Sequence, residues 1–227
     1  VAETDTRILC NSEYTRGDIE AAIARGALPR PQQPLRVTSL AHQLRRPVKP
    51  APAKPRPPYL LVVGGVHGRK NVRLLLDAVL MLREQGFGGL PPRIVCAGRV
   101  ADHGPAMMAS DPRYAALTET VEFVDQPAQA ELYTLYEQCD ALVFPTTYEG
   151  WGLPVGEALW LNRPVFSSNA TSLPEVGGDR VLYFDPSDAG ALASQLHAFY
   201  SDAALRDNMA RRRTAPGLRS WADVAED

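Results

Sequence analysis

Residues 141–168 read ALVFPTTYEGWGLPVGEALWLNRPVFSS and follow the pattern of a strand, a loop, a helix and a second strand. Two short apolar runs, ALVFP (141–145) and PVFSS (164–168), have the length and composition of buried strands. Between them, the sequence Gly-Trp-Gly-Leu-Pro indicates the end of a loop and the start of a helix. Because proline suits the first turn of a helix, we expect this helix to span 153–161. This order of elements predicts a parallel β-α-β unit.

The same alternation continues on both sides of this unit. Further strands are predicted at YLLVVGG (59–65), RIVCAG (93–98), VEFVD (121–125) and VLYFD (181–185). Further helices are predicted at 71–85, 129–138 and 188–199, where apolar residues recur at helical spacing. The pattern predicts an α/β fold with a doubly wound, Rossmann-like parallel sheet, in which ligands bind at the carboxyl ends of the strands.

Three further segments flank residues 59–213, which contain the predicted sheet. Residues 29–58 hold nine of the 20 prolines and no acidic residue, which predicts an extended, solvated linker because proline disrupts helices and strand ladders. Residues 1–28 read as strand, turn and helix, capped by Asn11 or Ser12, and look like the end of a preceding domain. Residues 214–227 are predicted to form a C-terminal helix or tail that is cut short.

Composition limits the classes of function. A net charge of −2 gives no sign of nucleic-acid binding, and the basic residues of 29–58 lack the interleaved aromatic side chains of such a site. The cysteines, Cys10, Cys96 and Cys139, form no CxxC pair, so the sequence predicts neither a disulfide framework nor a zinc site. With no apolar run of membrane-spanning length and no signal peptide, we expect a cytoplasmic location.

Glu149 and Glu157 lie on either side of the predicted helix start. Because a helix N-terminus attracts anions, two acids beside one indicate a ligand that combines phosphate with hydroxyl groups. Glycines on both sides of Trp151 let the backbone approach such a ligand closely. The alternative is that Glu149 is an ordinary loop acid and Glu157 an exposed helix residue, and the two glycines argue against it.

GGVHGRKN (64–71) is the second candidate. Glycines end a strand, and Arg69 and Lys70 follow, as in a phosphate-binding loop. Neither the P-loop nor the Gly-x-Gly-x-x-Gly motif is present, and a tight turn with two solvated cations explains the stretch equally well. The chain contains no Asp-x-Asp motif. Its histidines, His42, His67, His103 and His197, form no sequence cluster, so no metal site is predicted.

Three stretches together resemble the nucleotide-sugar-binding, C-terminal domain of retaining family 4 glycosyltransferases, which have the GT-B fold of two Rossmann-like domains. The stretches are VVGGVHGRKN (62–71), ALVFPTTYEGWGLPVGEAL (141–159) and RPVFSSNATSLPEVGGDRVLYFDP (163–186), and the similarity covers residues 59 to about 213. NSEYTRGDI (11–19) is similar to the end of the family's N-terminal, acceptor-binding domain. The resemblance therefore implies that most of that domain lies outside this chain.

The resemblance also implies a role for each matching residue. Glu149 contacts the hydroxyls of the donor sugar and Glu157 binds the ribose, while Glu149 and Lys70 act in catalysis. The diphosphate meets Lys70 and the amides near Gly152, and the base lies near the ends of two strands. The residues implied to line the donor site are Gly64, Gly65, Arg69, Lys70, Arg99, Val124, Glu149, Gly150, Trp151, Gly152, Leu153 and Glu157.

The reaction implied is transfer of a hexose, with retention of configuration, from a UDP- or GDP-linked sugar to a glycan or lipid-linked acceptor. No cofactor, metal or nucleic acid is expected, and the N-terminal domain implies peripheral contact with the inner face of a membrane. The isolated segment is expected to bind nucleotide sugar but to transfer it poorly or not at all. Many relatives carry arginine where this chain has Gly65, so the second phosphate cation is either Arg69 or absent.

Two alternatives stay open at this point. The chain could be a non-catalytic module that binds nucleotide sugars or other proteins within a larger protein. It could also belong to a different GT-B-like enzyme, such as a sugar epimerase or phosphorylase, although these explain Glu149, Gly152 and Glu157 together less well.

Overall fold

The fold is built on a sheet of six parallel strands with helices on both faces. The computed structural model describes residues 7–49, 56–86, 93–101, 103–213 and 217–227. The strands are β1 (Leu9–Cys10), β2 (Arg36–Val37), β3 (Tyr59–Val63), β4 (Arg93–Gly98), β5 (Val121–Asp125), β6 (Ala141–Phe144), β7 (Val165–Ser168) and β8 (Leu182–Phe184). The helices are α1 (Glu13–Ala24), α2 (Val72–Glu84), α3 (Gly104–Ala109), α4 (Gln129–Gln138), α5 (Leu153–Trp160), α6 (Leu173–Gly177), α7 (Ala189–Ser201), α8 (Ala203–Arg213) and α9 (Trp221–Ala225). Short 3₁₀ turns occupy Gly68–Lys70, Pro112–Leu117 and Gly178–Arg180.

The order of strands in the large sheet is β5-β4-β3-β6-β7-β8, and every neighbouring pair is parallel. From β3 the chain moves outward through β4 and β5, and then returns to the other side of β3 with β6. The loops after β3 and β6 therefore flank the topological switch point, where open α/β sheets bind their ligands. The doubly wound parallel sheet predicted from the sequence is confirmed.

Two apolar cores lie on opposite faces of this sheet. In β3, Leu60 and Val62 belong to the core formed with α2 and α7, whereas Tyr59 and Leu61 belong to the core formed with α4 and α5. Because successive side chains of a strand point to opposite faces, a strand covered on both faces must be apolar throughout. This requirement explains the continuous apolar runs of the sequence.

The predicted elements of the sheet all form, with boundaries shifted by one or two residues. α5 begins at Leu153 with Gly152 as its N-cap, so Pro154 is the second helical residue and not the first. α3 and α6 were not predicted because six and five residues are too few to show a helical period. The three cysteines are buried and free, and burial raises the pKa of Cys96 and of Cys139 to about 12.

Part of the proline-rich segment is built into the fold, so the expectation of a uniformly solvated linker is wrong there. β2 pairs in parallel with β1, and Ala41, His42 and Leu44 are buried. Gly156 of α5 allows this approach, since a Cβ there would lie 3.0 Å from the Cα of His42. Proline density misled the prediction because residues 38–44 contain no proline and pack through their own side chains.

Residues 42–43 and the C-terminal segment hold each other through four hydrogen bonds. The His42 amide donates to the Arg219 carbonyl at 2.9 Å, and the Arg219 amide donates to His42 Nδ1 at 3.0 Å. The amide and the indole Nε1 of Trp221 donate to Oε1 and to the carbonyl of Gln43, both at 3.0 Å.

None of the described helices is long and apolar enough to cross a membrane.

Candidate functional site

The side chain of Lys70 reaches the switch point by passing over the backbone of Gly64. β3 ends at Val63, and Gly64 follows with a φ of 121°, a value that favours glycine. A Cβ at Gly64 would lie 3.1 Å from the Cε of Lys70, so the lysine side chain passes directly over this residue. Its ammonium lies 4.9 Å from the ring centroid of Phe144, at the end of β6. The absence of a side chain at Gly64 therefore leaves room for Lys70 between the ends of β3 and β6.

The carboxylate of Glu149 brings two cations and a hydroxyl group to one oxygen. Oε1 lies 2.7 Å from Lys70 Nζ, 2.5 Å from a guanidinium nitrogen of Arg69, and 3.2 Å from Thr146 Oγ1. The Lys70 side chain is 19% exposed and the Arg69 side chain 50% exposed. Because solvent weakens exposed ion pairs, the lysine contact is the stronger of the two. The loops after β3 and β6 thus meet through opposite charges.

The backbone of Glu149 is held separately from its side chain. Thr171 Oγ1 accepts from the Glu149 amide at 3.0 Å and donates to its carbonyl at 2.9 Å. The hydroxyl of Ser172 lies 3.0 Å from the Glu149 carbonyl and 2.9 Å from that of Trp151. Thr171 has a φ of 53°, which is uncommon for a β-branched residue and indicates that its neighbours impose the conformation.

The N-terminus of α5 follows this loop directly. Gly152 caps it with a φ of 111°, and a Cβ there would lie 2.5 Å from a methyl group of Leu173. Any other residue would have to displace the Leu173 side chain and adopt a φ that side chains disfavour. Because the first amides of a helix have no partner within it, the N–H groups of Gly152 and Leu153 are suited to an anion.

Glu157 lies one turn further along α5. Its Oε2 accepts from the hydroxyl of Tyr136 at 2.7 Å, so a buried residue of α4 fixes the carboxyl orientation. Burial raises the pKa of Glu157, and the hydrogen bond from Tyr136 offsets part of this shift. Burial, with the charge of Glu157, also raises the pKa of Tyr136 well above its usual value. Glu157 is thus a held, half-buried acceptor.

Arg99 and Val124 lie further across the sheet. Val124 pairs with Ala97 of β4, and Arg99 follows β4 with an exposed side chain. β5 lies three strand spacings from β6, about 14 Å, so only an extended ligand could contact both ends. The loop after β4 is held by Asp125, whose carboxylate accepts from the amides of Val100 and Ala101 at 2.8 and 2.9 Å. These backbone hydrogen bonds lower the pKa of Asp125.

A family model described as glycosyl transferases group 1 matches residues 46–215. The chain belongs to this family. It is 30% identical over 164 residues to O-antigen chain mannosyltransferase B of Escherichia coli, a match that covers 72% of this chain and 42% of that protein. It is 26% identical over 237 residues to glycogen synthase of Mycobacterium tuberculosis, covering 99% of this chain and 53% of that protein. The chain thus spans about half or less of these relatives.

Solved glycosyltransferases share the fold. Sucrose-phosphate synthase from Thermosynechococcus elongatus superposes with a TM-score of 0.69 at 23% identity, covering 99% of this chain and 57% of that one. WaaG, a glycosyltransferase involved in lipopolysaccharide biosynthesis, superposes with a TM-score of 0.71 at 15% identity, covering 93% and 58%. This member of the group 1 family therefore has the architecture of the C-terminal domain of a GT-B glycosyltransferase.

The predicted site residues do not all face the same space. Trp151 is only 4% exposed, and its indole packs in the core at a centroid distance of 6.3 Å from the ring of His42. Its side chain therefore does not line the candidate site. Gly150 faces the N-terminal segment, since a Cβ there would lie 3.0 Å from the side-chain nitrogen of Asn11.

Two histidines that are distant in sequence meet in the fold. The rings of His67 and His103 have centroids 4.2 Å apart, because they follow the neighbouring strands β3 and β4. The ring of His67 also covers Gly65, where a Cβ would lie 3.0 Å from its Cε1. Among the described residues, no group of three or more His, Cys, Asp or Glu side chains could hold a metal ion.

Proposed function

We propose that this chain binds a nucleoside diphosphate hexose and supplies the donor-binding half of a retaining glycosyltransferase. One observation carries the proposal: Lys70 and Arg69 converge on Glu149 at the switch point, beside the N-terminus of α5. Cations and helix amides suit a diphosphate, and a carboxylate suits sugar hydroxyls. A donor would take one contact from the cations and another from the carboxylate.

Glu157 supports the same arrangement. It lies beyond the helix N-terminus that would hold the diphosphate, with one carboxyl oxygen fixed by Tyr136. A half-buried carboxylate is a strong acceptor for a pair of ribose hydroxyls. The base would then lie toward Arg99 and Val124, at the ends of β4 and β5. Base, ribose, diphosphate and sugar would thus follow the carboxyl edge of the sheet toward Glu149.

The proposed transfer occurs on one face of the sugar. The acceptor hydroxyl oxygen forms a bond to the anomeric carbon as the bond from that carbon to the β-phosphate oxygen breaks. The same phosphate takes the proton of the acceptor hydroxyl, so retention requires no protein nucleophile. A helix N-terminus stabilises the leaving charge by about 0.3–2 kcal/mol, and a charge-assisted hydrogen bond by about 1.5–3 kcal/mol. Lys70 should therefore contribute more than any single amide.

Mannose is the hexose that we propose, within a pathway of polysaccharide synthesis. Several relatives are named as mannosyltransferases of O-antigen chains or serotype-specific mannosyltransferases, at 27–38% identity. The acceptor we propose is a glycan or a lipid-linked glycan. Because a carboxylate held by fixed neighbours loses its partners when a hydroxyl is missing or turned, Glu149 is suited to discriminate between hexoses.

Calorimetric titration tests this proposal. The 227-residue chain is titrated with GDP, GDP-mannose, UDP and UDP-glucose, and we expect the guanosine pair to bind more tightly. Glu149→Ala should weaken the nucleotide sugar while leaving the bare nucleotide within about twofold, since Glu149 is assigned to the sugar. Glu137, an exposed acid on α4, supplies the control Glu137→Ala. Absence of binding to all four ligands would overturn the proposal, and tighter binding of UDP-glucose would overturn the choice of mannose.

A further inference from the structure

Helix α1 is held against the candidate site by polar contacts and not by burial. None of its residues is buried. The carboxylate of Glu175 accepts from the amides of Glu13 and Tyr14 at 2.7 and 2.9 Å, across more than 160 positions of sequence. One acidic side chain thus satisfies two of the amides that a helix leaves unpaired in its first turn.

The residues on both sides of Glu149 also contact α1. The Tyr148 hydroxyl donates to the Asp18 carboxylate at 2.7 Å, and the two rings of Tyr14 and Tyr148 meet edge to face at 6.0 Å. Thr15 Oγ1 lies 3.3 Å from the Gly150 carbonyl. The loop that presents Glu149 is therefore fastened to α1 both before and after the glutamate.

The segment that carries Glu175 is the one that fixes the Glu149 backbone. We call residues 171–175 the latch segment. Thr171 and Ser172 bind the amide and carbonyl of Glu149, and Glu175 binds the first turn of α1. A displacement of α1 relative to the sheet must therefore pull on Glu175, then on the latch segment, and then on the backbone of Glu149.

We propose that Glu175 is a positioning residue that couples the placement of α1 to the placement of Glu149. This inference rests on the proposed role of Glu149 as the group that contacts the donor sugar. Glu175 itself touches no donor. Its contacts are few and exposed to solvent, so they can break and re-form without loss of a core. The latch segment would thereby set sugar binding according to whether α1 is docked.

The test compares Glu175→Ala with Glu137→Ala, which removes an exposed acid of α4. Titrations use the nucleoside diphosphate and the matching nucleotide sugar that bind the unmodified chain. We expect Glu175→Ala to weaken the nucleotide sugar about fivefold, the size of a lost helix cap, and to leave the bare nucleotide within about twofold. Glu175→Gln keeps one acceptor oxygen, so its affinity for the nucleotide sugar should lie between those of Glu175→Ala and the unmodified chain.

Hydrogen exchange gives a second readout that needs no ligand. Glu175→Ala should speed exchange of the amides in residues 13–16 and 148–152, while Glu137→Ala leaves both regions unchanged. Equal losses for nucleotide and nucleotide sugar, no loss for either, or unchanged exchange would each overturn the latch. If the unmodified chain binds none of the four ligands, the proposed function fails, and the exchange data still decide whether Glu175 couples α1 to the Glu149 loop.

Discussion

The ammonium of Lys70 lies 2.7 Å from the carboxylate of Glu149, although 79 positions of sequence separate the two residues. They meet because β3 and β6 are neighbours and parallel, so the loops that follow them leave the same edge of the sheet. The pair places a cation for a phosphate beside an acceptor for hydroxyls.

Lys70→Ala should weaken both the bare nucleotide and the nucleotide sugar. Loss of a charge-assisted hydrogen bond of about 1.5–3 kcal/mol corresponds to roughly 10- to 150-fold in affinity. Calorimetric titration of each variant measures the change. Lys49→Ala removes an exposed lysine and is the control. Undiminished nucleotide affinity in Lys70→Ala would remove the lysine from the phosphate site.

Glu157→Gln should separate stability from binding. Burial raises the pKa of Glu157 in the folded chain, so folding disfavours its ionised form, and the cost to stability is present at neutral pH. The free energy of unfolding should therefore increase as the pH falls through the raised pKa toward about 4.3, the pKa of glutamate in the unfolded chain. Glutamine avoids this cost, and we expect a melting temperature at pH 7 equal to or above that of the unmodified chain.

The same substitution should reduce nucleotide affinity, because a neutral amide is a weaker acceptor for ribose hydroxyls. Thermal melts at pH 7 and pH 4.5 are compared with those of Glu137→Gln, where the acid is exposed. Any gain from Glu157→Gln should shrink at pH 4.5. A Glu157→Gln chain that binds nucleotide as tightly as the original would remove Glu157 from the ribose site.

His42 should make stability fall at acid pH. Burial lowers the pKa of His42, and its neutral ring bridges the carbonyl of Val176 and the amide of Arg219. An unfolded histidine takes up a proton near pH 6.5, before the folded one does, so stability is lost as the pH falls from about 6.5 through the lowered pKa. Denaturant melts at pH 7.5 and pH 5.5 measure the difference.

His42→Gln should be less stable at pH 7.5 by about 1–3 kcal/mol, the cost of disturbing a buried hydrogen-bonded group, and should show a smaller pH dependence. His197→Gln makes the same substitution at an exposed histidine and is the comparison. An unchanged pH dependence in His42→Gln would show that other groups cause it.

Substitution by alanine should lower the free energy of unfolding by different amounts at Gly98, which ends β4, and at Gly65, which follows β3. A Cβ at Gly98 would lie 2.4 Å from the Gly64 carbonyl oxygen with φ at 152°, so Gly98→Ala should cost more than about 2 kcal/mol. A Cβ at Gly65 meets the movable ring of His67 at 3.0 Å, and Gly65→Ala should cost less than about 1 kcal/mol. Urea unfolding checks both. Equal losses would mean that the loop after β3 is as tightly packed as the strand contact.

The parallel sheet, its helices and the pairing of Glu149 with a glycine-rich helix start could be predicted from local patterns. Apolar runs ended by glycine are enough to identify buried strands. The packing of residues 38–44 could not be predicted in this way, because the burial of Ala41 and His42 depends on Gly156 and Arg219, which are remote in sequence. The contact between His67 and His103 was missed for the same reason.

The sequence by itself determined the six strands of the large sheet and the helices α2, α4, α5 and α7, since period and glycine placement act over a few residues. It also determined the residue types available to a phosphate and to hydroxyl groups. Only the tertiary structure decided that Lys70, Arg69 and Glu149 share one point, and that Glu175 ties α1 to the Glu149 loop. The contacts of Glu149 with Lys70 and Arg69 depend on strand order, and strand order is set by packing across the whole sheet rather than by any local run of residues.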